Sequence, residues 1–155
     1  MIELVTFSGM TLQLRELLES DIDQIMKLEK SAHSHPWRRS SFEDCLKGRQ
    51  KCWLAEHKNT LVGYVVVTHG GGDAELLNLA VSPDVQRKGI GQLLLAQALE
   101  LVQGKADMLF LEVRVSNHKA IALYSREGFF ETGNRKNYYP TNNGYEDALL
   151  MAKQL

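Results

Sequence analysis

The sequence predicts one mixed α/β domain, a central sheet of about seven strands with helices on both faces. Three observations carry this. The 155 residues suit a single compact unit that buries roughly 70% of its unfolded surface. Segments of period two alternate with segments of period 3.6 along the chain. No internal repeat, low-complexity run or Pro/Ser-rich linker divides it.

The elements follow in order. Residues 11–16 (TLQLRE) alternate and read as the first strand. Ser20 or Asp21 opens a helix on which Ile22, Ile25, Met26 and Leu28 share a face. A loop with His35, Pro36 and Trp37 precedes a short helix around 42–46, capped by Ser40 or Ser41. Strands near 51–57 and 60–68 flank a tight turn, and Gly70, Gly71, Gly72 and Asp73 form the next connection. A strand at 75–81 leads to a helix over 89–102 with a broad apolar face. Residues 108–115 are dense in apolar side chains and read as a central strand. A helix over 117–126 and strands near 129–132 and 147–153 complete the pattern, the last two separated by a long polar loop.

Composition narrows the functional classes. Hydrophobic residues make up 44% and charged residues 24%, ordinary soluble usage. The net charge of −1 lacks the basic surplus of duplex binders, so no nucleic-acid partner is expected. No apolar run approaches the roughly 20 residues of a membrane span, and no signal peptide is evident. Cytoplasmic residence and no membrane partner are the expectation. Two cysteines, Cys45 and Cys52, make no disulfide framework, and with His33, His35 and His57 they match no zinc spacing. No metal is expected.

Residues 81–91, VSPDVQRKGIG, run from a strand through a Pro turn into a Gly-punctuated helix start. Such a start offers unpaired N–H groups and a positive dipole end, a natural anion cradle. A dinucleotide fingerprint needs a glycine where Leu94 stands, and the P-loop pattern is absent. From the residues alone, an anion site and a plain flexible helix start with solvated charges both stand.

On 108–115, alternation puts Glu112 and Arg114 on one face, with Leu111, Val113 and Val115 on the other. An acid in so apolar a strand reads either as a general base or as half of a structural ion pair. Asn117 and Tyr124, seven apart, share a helix face; by themselves they read equally as an N-cap and a core aromatic.

The segment Gln86-Arg87-Lys88-Gly89-Ile90-Gly91 resembles the Q/R-x-x-G-x-G/A motif of the GNAT N-acetyltransferase family. The strand 77–81 (LNLAV) is similar to that family's splayed cofactor strand, and Asn-x-x-Ala-x-x-Leu-Tyr-x-x-x-Gly-Phe from Asn117 to Phe129 resembles its second signature. The resemblance implies acetyl-CoA as co-substrate. Gln86 to Gly91, with the adjoining Gln92, would hold its pyrophosphate. Backbone groups along Leu79, Ala80 and Val81 would bind the pantetheine arm and polarise the thioester carbonyl, and Asn117 would contact the coenzyme.

The strings LEVRVSNHKAIALY, RKNYYP and EDALLM, with His35-Pro36-Trp37, are similar to the bacterial ribosomal-protein-alanine N-acetyltransferases. This implies Glu112 as proton acceptor and Tyr124 as proton donor. Trp37, Asn137, Tyr138 and Tyr139 would line the acceptor site. The implied partner is a protein N-terminus, the alanine of a small-subunit ribosomal protein, acted on by a monomer. Protein lysine, a small amine, or a non-catalytic acetyl-CoA sensor are the alternatives. The resemblance covers residues 11–153; residues 1–10 look like an extension, with Met10 a possible alternative start.

Overall fold

The computed structural model describes residues 1–155. One sheet of eight strands organises the chain: β1 (Ile2–Val5), β2 (Thr11–Glu16), β3 (Lys51–His57), β4 (Thr60–Gly70), β5 (Asp73–Val81), β6 (Met108–Arg114), β7 (Phe130–Thr141) and β8 (Gly144–Gln154). Their spatial order is β1-β2-β3-β4-β5-β6-β8-β7, antiparallel throughout except for the parallel pair β5 and β6. Four helices pack on the sheet: α1 (Ile22–Ala32), α2 (Arg39–Leu46), α3 (Ile90–Val102) and α4 (His118–Arg126).

The count of eight exceeds the expected seven because residues 2–5, read as an extension, form an edge strand. It pairs with β2 in the register Ile2 to Leu14 through Val5 to Thr11. The expected long polar loop after residue 132 is also strand. β7 and β8 make one long hairpin, from Phe130 opposite Ala152 to Thr141 opposite Gly144. Its polar composition hid it: β7 is exposed along most of its length, so it has no apolar alternation to read.

The helices divide between the two faces. Ile22, Ile25 and Leu28 of α1 and Phe42 and Cys45 of α2 pack with Leu54, Tyr64 and Val66. Ile90, Leu94, Leu95 and Ala98 of α3 and Tyr124 of α4 pack with Val65, Val67, Leu109 and Leu111. β4 therefore contributes to both layers, and it is the strand buried on both faces. β6, read as central, is an inner strand but alternates buried with half-buried positions, because its second face borders a cleft.

Gly63 lets α3 approach the sheet. A Cβ there would stand 2.8 Å from the Ala80 carbonyl oxygen and 2.9 Å from Leu94 Cδ1. Lys58 and Asn59, both at positive φ, close the β3–β4 turn in the conformation that two-residue hairpins favour. Both cysteines are free and buried. No helix is long and apolar enough to cross a membrane, and no group of three or more His, Cys, Asp or Glu side chains is placed to hold a metal ion.

Candidate active site

The sheet opens where its only parallel pair parts. β5 and β6 pair from Asp73 with Met108 to Leu76 with Leu111. Beyond that, Leu77 is left unpaired and Asn78 to Val81 stay with β4, while Glu112 to Arg114 pair only with β8. A register shift between Val66 and Val67 of β4 marks the same level. Each of the parting strands then feeds a helix, β5 into α3 and β6 into α4. A crevice at the carboxyl ends of parallel strands, with helix N-termini beside it, is where open α/β sheets bind ligands.

The α3 side of the crevice is suited to an anion. A single 3₁₀ turn, Pro83–Val85, follows Ser82, and the chain then passes through Gln86, Arg87 and Lys88 to Gly89, the N-cap of α3. Arg87 (φ 64°) and Gly89 (φ 93°) are both left-handed. The first N–H of this stretch to bond within the chain is that of Leu93, to the Gly89 carbonyl at 3.2 Å. The N–H groups from Gln86 through Gln92 are therefore free to receive oxygen atoms, and the helix dipole adds to their pull. Arg87 and Lys88 are exposed, and Ile90 is different: its side chain is 1% exposed in the core, so only its backbone faces the loop. Ala80 is likewise buried, while Leu79 and Val81 are half-buried on the unpaired edge of β5. A row of unpaired donors beside an open strand edge fits a long, diphosphate-bearing ligand.

Asn117 caps α4, its Oδ1 accepting from Ala120 N–H at 3.2 Å. Lys119 Nζ donates to Gln86 Oε1 at 3.2 Å, tying the start of α4 to the anion loop. Gln92 Nε2 donates to Glu127 Oε1 at 3.0 Å. Tyr124 is buried, its ring 5.7 Å from that of Phe129. Its hydroxyl bonds to no group of the chain. Burial, and secondly the neighbouring Tyr139, push this phenol well above its ordinary range, so it keeps its proton.

On the opposite face of the opening lies a cleft of about 640 Å³. Glu112 lines it together with Trp37, Tyr138, Tyr139, Arg135 and Glu75. Glu112 is held by Arg135, whose Nε stands 3.4 Å from Oε1. Arg114, its neighbour on the same strand face, turns away to Glu146 at 3.1 Å and to the Pro140 carbonyl at 2.8 Å. Each arginine also stacks on a tyrosine: Arg114 lies 4.6 Å from the Tyr139 ring centroid and Arg135 lies 5.4 Å from that of Tyr138. The Tyr138 hydroxyl is pushed up by Glu112, through hydrogen bonding first and charge second, and burial raises Tyr139 to about 12.

Adjacent residues of a regular strand point to opposite faces, yet Tyr138 and Tyr139 both line the cleft. The register slips between Arg135 and Tyr139, and Asn137 takes a left-handed φ of 51° with its N–H on Asp147 Oδ1 at 3.0 Å. Asn137 thus shapes the bulge that turns both rings inward and does not itself line the cleft. The rings meet edge to face at 4.9 Å.

Trp37 is placed by Glu29, a residue outside every motif of the sequence. Glu29 sits on the buried face of α1 at 1% exposure. Its Oε2 accepts the Trp37 N–H at 2.8 Å, and its Oε1 accepts from Asn78 Nδ2 at 3.0 Å and from the Tyr64 hydroxyl. The signal was available: Glu29 lies seven residues after Ile22, on the apolar stripe, and a charge there needs partners. Arg135 lies in a polar stretch that carries no such signal, and Glu75 stands near the start of β5, before the apolar run Leu76-Leu77. The structure thus gathers Glu112, Trp37, Tyr138 and Tyr139 at one cleft, and the anion loop with Asn117 at the helical side. Tyr124 lines the helix layer and not the cleft.

Comparison with known proteins agrees with this architecture. The model of the acetyltransferase (GNAT) family matches residues 19–129. The chain is 37% identical over 134 residues to the ribosomal protein bS18-alanine N-acetyltransferase of Escherichia coli K12, covering 86% of this chain and 90% of that one. It is 34% identical over 134 residues to the Haemophilus influenzae enzyme of the same name, covering 85% and 91%. The crystal structure of the E. coli ribosomal-protein-S18-alanine N-acetyltransferase superimposes with a TM-score of 0.85, at 35% identity, over 92% of this chain and 93% of that one. A structure of Arabidopsis thaliana NAA60 with acetyl-CoA shares the fold, with a TM-score of 0.84 at 19% identity, over 93% and 98%. With a family model spanning most of its length and the crevice between β5 and β6 in place, the chain belongs to the GNAT acetyltransferases.

Proposed function

We propose that this enzyme transfers the acetyl group of acetyl-CoA to the α-amine of a protein N-terminus, and that the acceptor is the N-terminal alanine of a small-subunit ribosomal protein, bS18. The observation that carries this reading is the cleft at Glu112, walled by Trp37, Tyr138 and Tyr139, in a chain whose relatives bear that acceptor in their names. Partly exposed aromatic walls suit a peptide end, and a carboxylate among them suits its ammonium group.

The residues divide the work as follows. The free N–H groups of Gln86 to Gln92, with Arg87 and Lys88, hold the diphosphate of the coenzyme, and Asn117 supports it from α4. The unpaired edge along Leu79, Ala80 and Val81 guides the pantetheine arm and steadies the carbonyl oxygen. The thioester supplies the activated acetyl group. Glu112 takes a proton from the acceptor ammonium, directly or through a water; the second nitrogen proton passes to water as the tetrahedral adduct collapses, and Tyr124 delivers a proton to the departing sulfur and regains one from water. Its raised phenol suits a group that must arrive protonated. Trp37, Tyr138 and Tyr139 orient the peptide, the last two through the bulge at Asn137. The amine attacks without an acyl-enzyme stage.

Acceptor chemistry favours an α-amine. Its pKa is about 8 against about 10.4 for lysine, so a far larger share is free near neutrality. The test offers labelled acetyl-CoA with two peptides, one with a free N-terminal alanine, the other blocked at its N-terminus and carrying an internal lysine. Label on the free-alanine peptide alone is expected. Label mainly on the lysine overturns the acceptor, and no label on either, with coenzyme bound, moves the reading to a small amine or a sensor.

A further inference from the structure

The first ten residues fall outside the resemblance and have no part in the chemistry above, yet they touch the anion loop. The turn between β1 and β2, Thr6 to Gly9, lies against Lys88 and Gly89. Ser8 Oγ donates to the Lys88 carbonyl at 2.7 Å. Ser8 Oγ also meets Thr6 Oγ1 at 2.8 Å, and Thr6 Oγ1 accepts the Met10 N–H at 3.0 Å. Each hydroxyl has one proton, and that of Ser8 is committed to Lys88, so Thr6 donates to Ser8. The result is a single directed chain, Met10 N–H to Thr6 to Ser8 to the Lys88 carbonyl, anchored by a Thr6 that is 4% exposed.

Phe7 completes the contact. Its ring lies so near the Gly89 backbone that a Cβ on Gly89 would stand 2.7 Å from Cδ1 and 2.8 Å from Cε1. The ring is otherwise outside any core, at 77% exposure. Lys88 precedes the Gly89 N-cap, so its carbonyl has no partner within the helix. Ser8 supplies that partner from eighty residues away in the chain. Arg87, a non-glycine residue at φ 64°, holds a left-handed conformation that persists only where surrounding contacts enforce it.

We infer that the hairpin tip Thr6-Phe7-Ser8 is a positioning device for the coenzyme, fixing Lys88 and Gly89 so that the N–H groups of the loop face one diphosphate. This rests on the reading that the loop binds acetyl-CoA. The tip acts through the loop and touches no reacting atom. Its loss therefore weakens binding of donors that carry the diphosphate and spares turnover.

The test uses the full chain with Ser8→Ala, Phe7→Ala and, as rescue, Ser8→Thr, which keeps the hydroxyl. Calorimetry measures the Kd for coenzyme A; steady-state kinetics compare acetyl-CoA with S-acetylpantetheine, a donor without the diphosphate. Ser8→Ala and Phe7→Ala are expected to raise the Kd for coenzyme A by roughly five- to tenfold. The kcat at saturation, the KM for S-acetylpantetheine and the thermal midpoint stay unchanged, and Ser8→Thr restores affinity. Unchanged or tighter coenzyme binding in Ser8→Ala and Phe7→Ala overturns the inference, as does an equal loss with both donors. Wild-type protein that binds no coenzyme A overturns the function proposed above, and this inference with it; wild-type binding that ignores the tip overturns this inference alone.

Discussion

Arg135 Nε stands 3.4 Å from Glu112 Oε1 in the lining of the cleft, while its guanidinium covers the Tyr138 ring at 5.4 Å. One arginine therefore engages both the proposed base and an acceptor-wall tyrosine. Glu112 remains 30% exposed, and so open to an incoming amine or water. If Glu112 is the base, Glu112→Gln lowers kcat/KM for an N-terminal peptide by about a hundredfold or more and leaves the fold intact. Steady-state rates across pH, with a thermal melt as control, check this. A rate equal to wild type at every pH removes Glu112 from the mechanism.

Tyr124 packs against Phe129 and holds a phenol raised by burial. Tyr124→Phe keeps the ring and removes only the proton. We expect kcat to fall about tenfold to a hundredfold with little change in melting temperature. The raised phenol also means that Tyr124 keeps its proton past its ordinary pKa of 10.0. Any fall in kcat below that pH must therefore come from another group. A basic limb that vanishes in Tyr124→Phe would contradict this.

Tyr138 is 45% exposed and contributes little to the core. Tyr138→Ala should raise the KM for peptide several-fold, by roughly 1 kcal/mol of lost aromatic contact. The Kd for coenzyme A should not move, since the anion loop lies on the other side of the sheet opening. Peptide titration and coenzyme calorimetry on the same variant separate the two sites. Weakened binding of both would show that Tyr138 supports the fold and not the acceptor wall.

Stability at low pH should follow Asp21. Arg15 binds both its carboxylate oxygens at 2.8 Å, and the Leu18 N–H donates to Oδ2, also at 2.8 Å. Arg15 holds the Asp21 carboxyl below its ordinary 3.8. A carboxyl depressed in the folded state stabilises the protein above its unfolded pKa, and that contribution is lost as pH falls through the lower folded value. Asp21→Asn is expected to cost about 1 to 2 kcal/mol at pH 7 and progressively less below pH 3.8. Urea unfolding at neutral and acid pH measures the gap; a constant gap would place the stabilisation elsewhere.

Some of this was legible in the residues. The alternation of β2, the apolar stripe of α1 and the hairpin turn at Lys58-Asn59 lie close in sequence, and local propensity agrees with the final fold there. The start of α3 was readable because Gly89 and Gly91 open a helix after a Pro turn. Glu112 stood out as a charge in an apolar strand. What sequence left out depends on distant partners. β7 has no apolar period, and only pairing with β8 makes it a strand. The inward turn of both Tyr138 and Tyr139 needs the bulge at Asn137, which is set by Asp147 across the hairpin.

By itself, then, the sequence determined the mixed α/β class, the glycine-punctuated helix start after the fifth strand, and the residue types available at the cleft. Each follows from period, turn chemistry and residue identity over a few neighbouring positions. Tertiary structure alone decided that β5 and β6 part after Leu76 and Leu111, that Arg135 and not Arg114 meets Glu112, and that Ser8 reaches Lys88 eighty residues away. These depend on register and packing between remote segments, where the outcome is fixed by burial and hydrogen bonding of the whole chain and not by local preference.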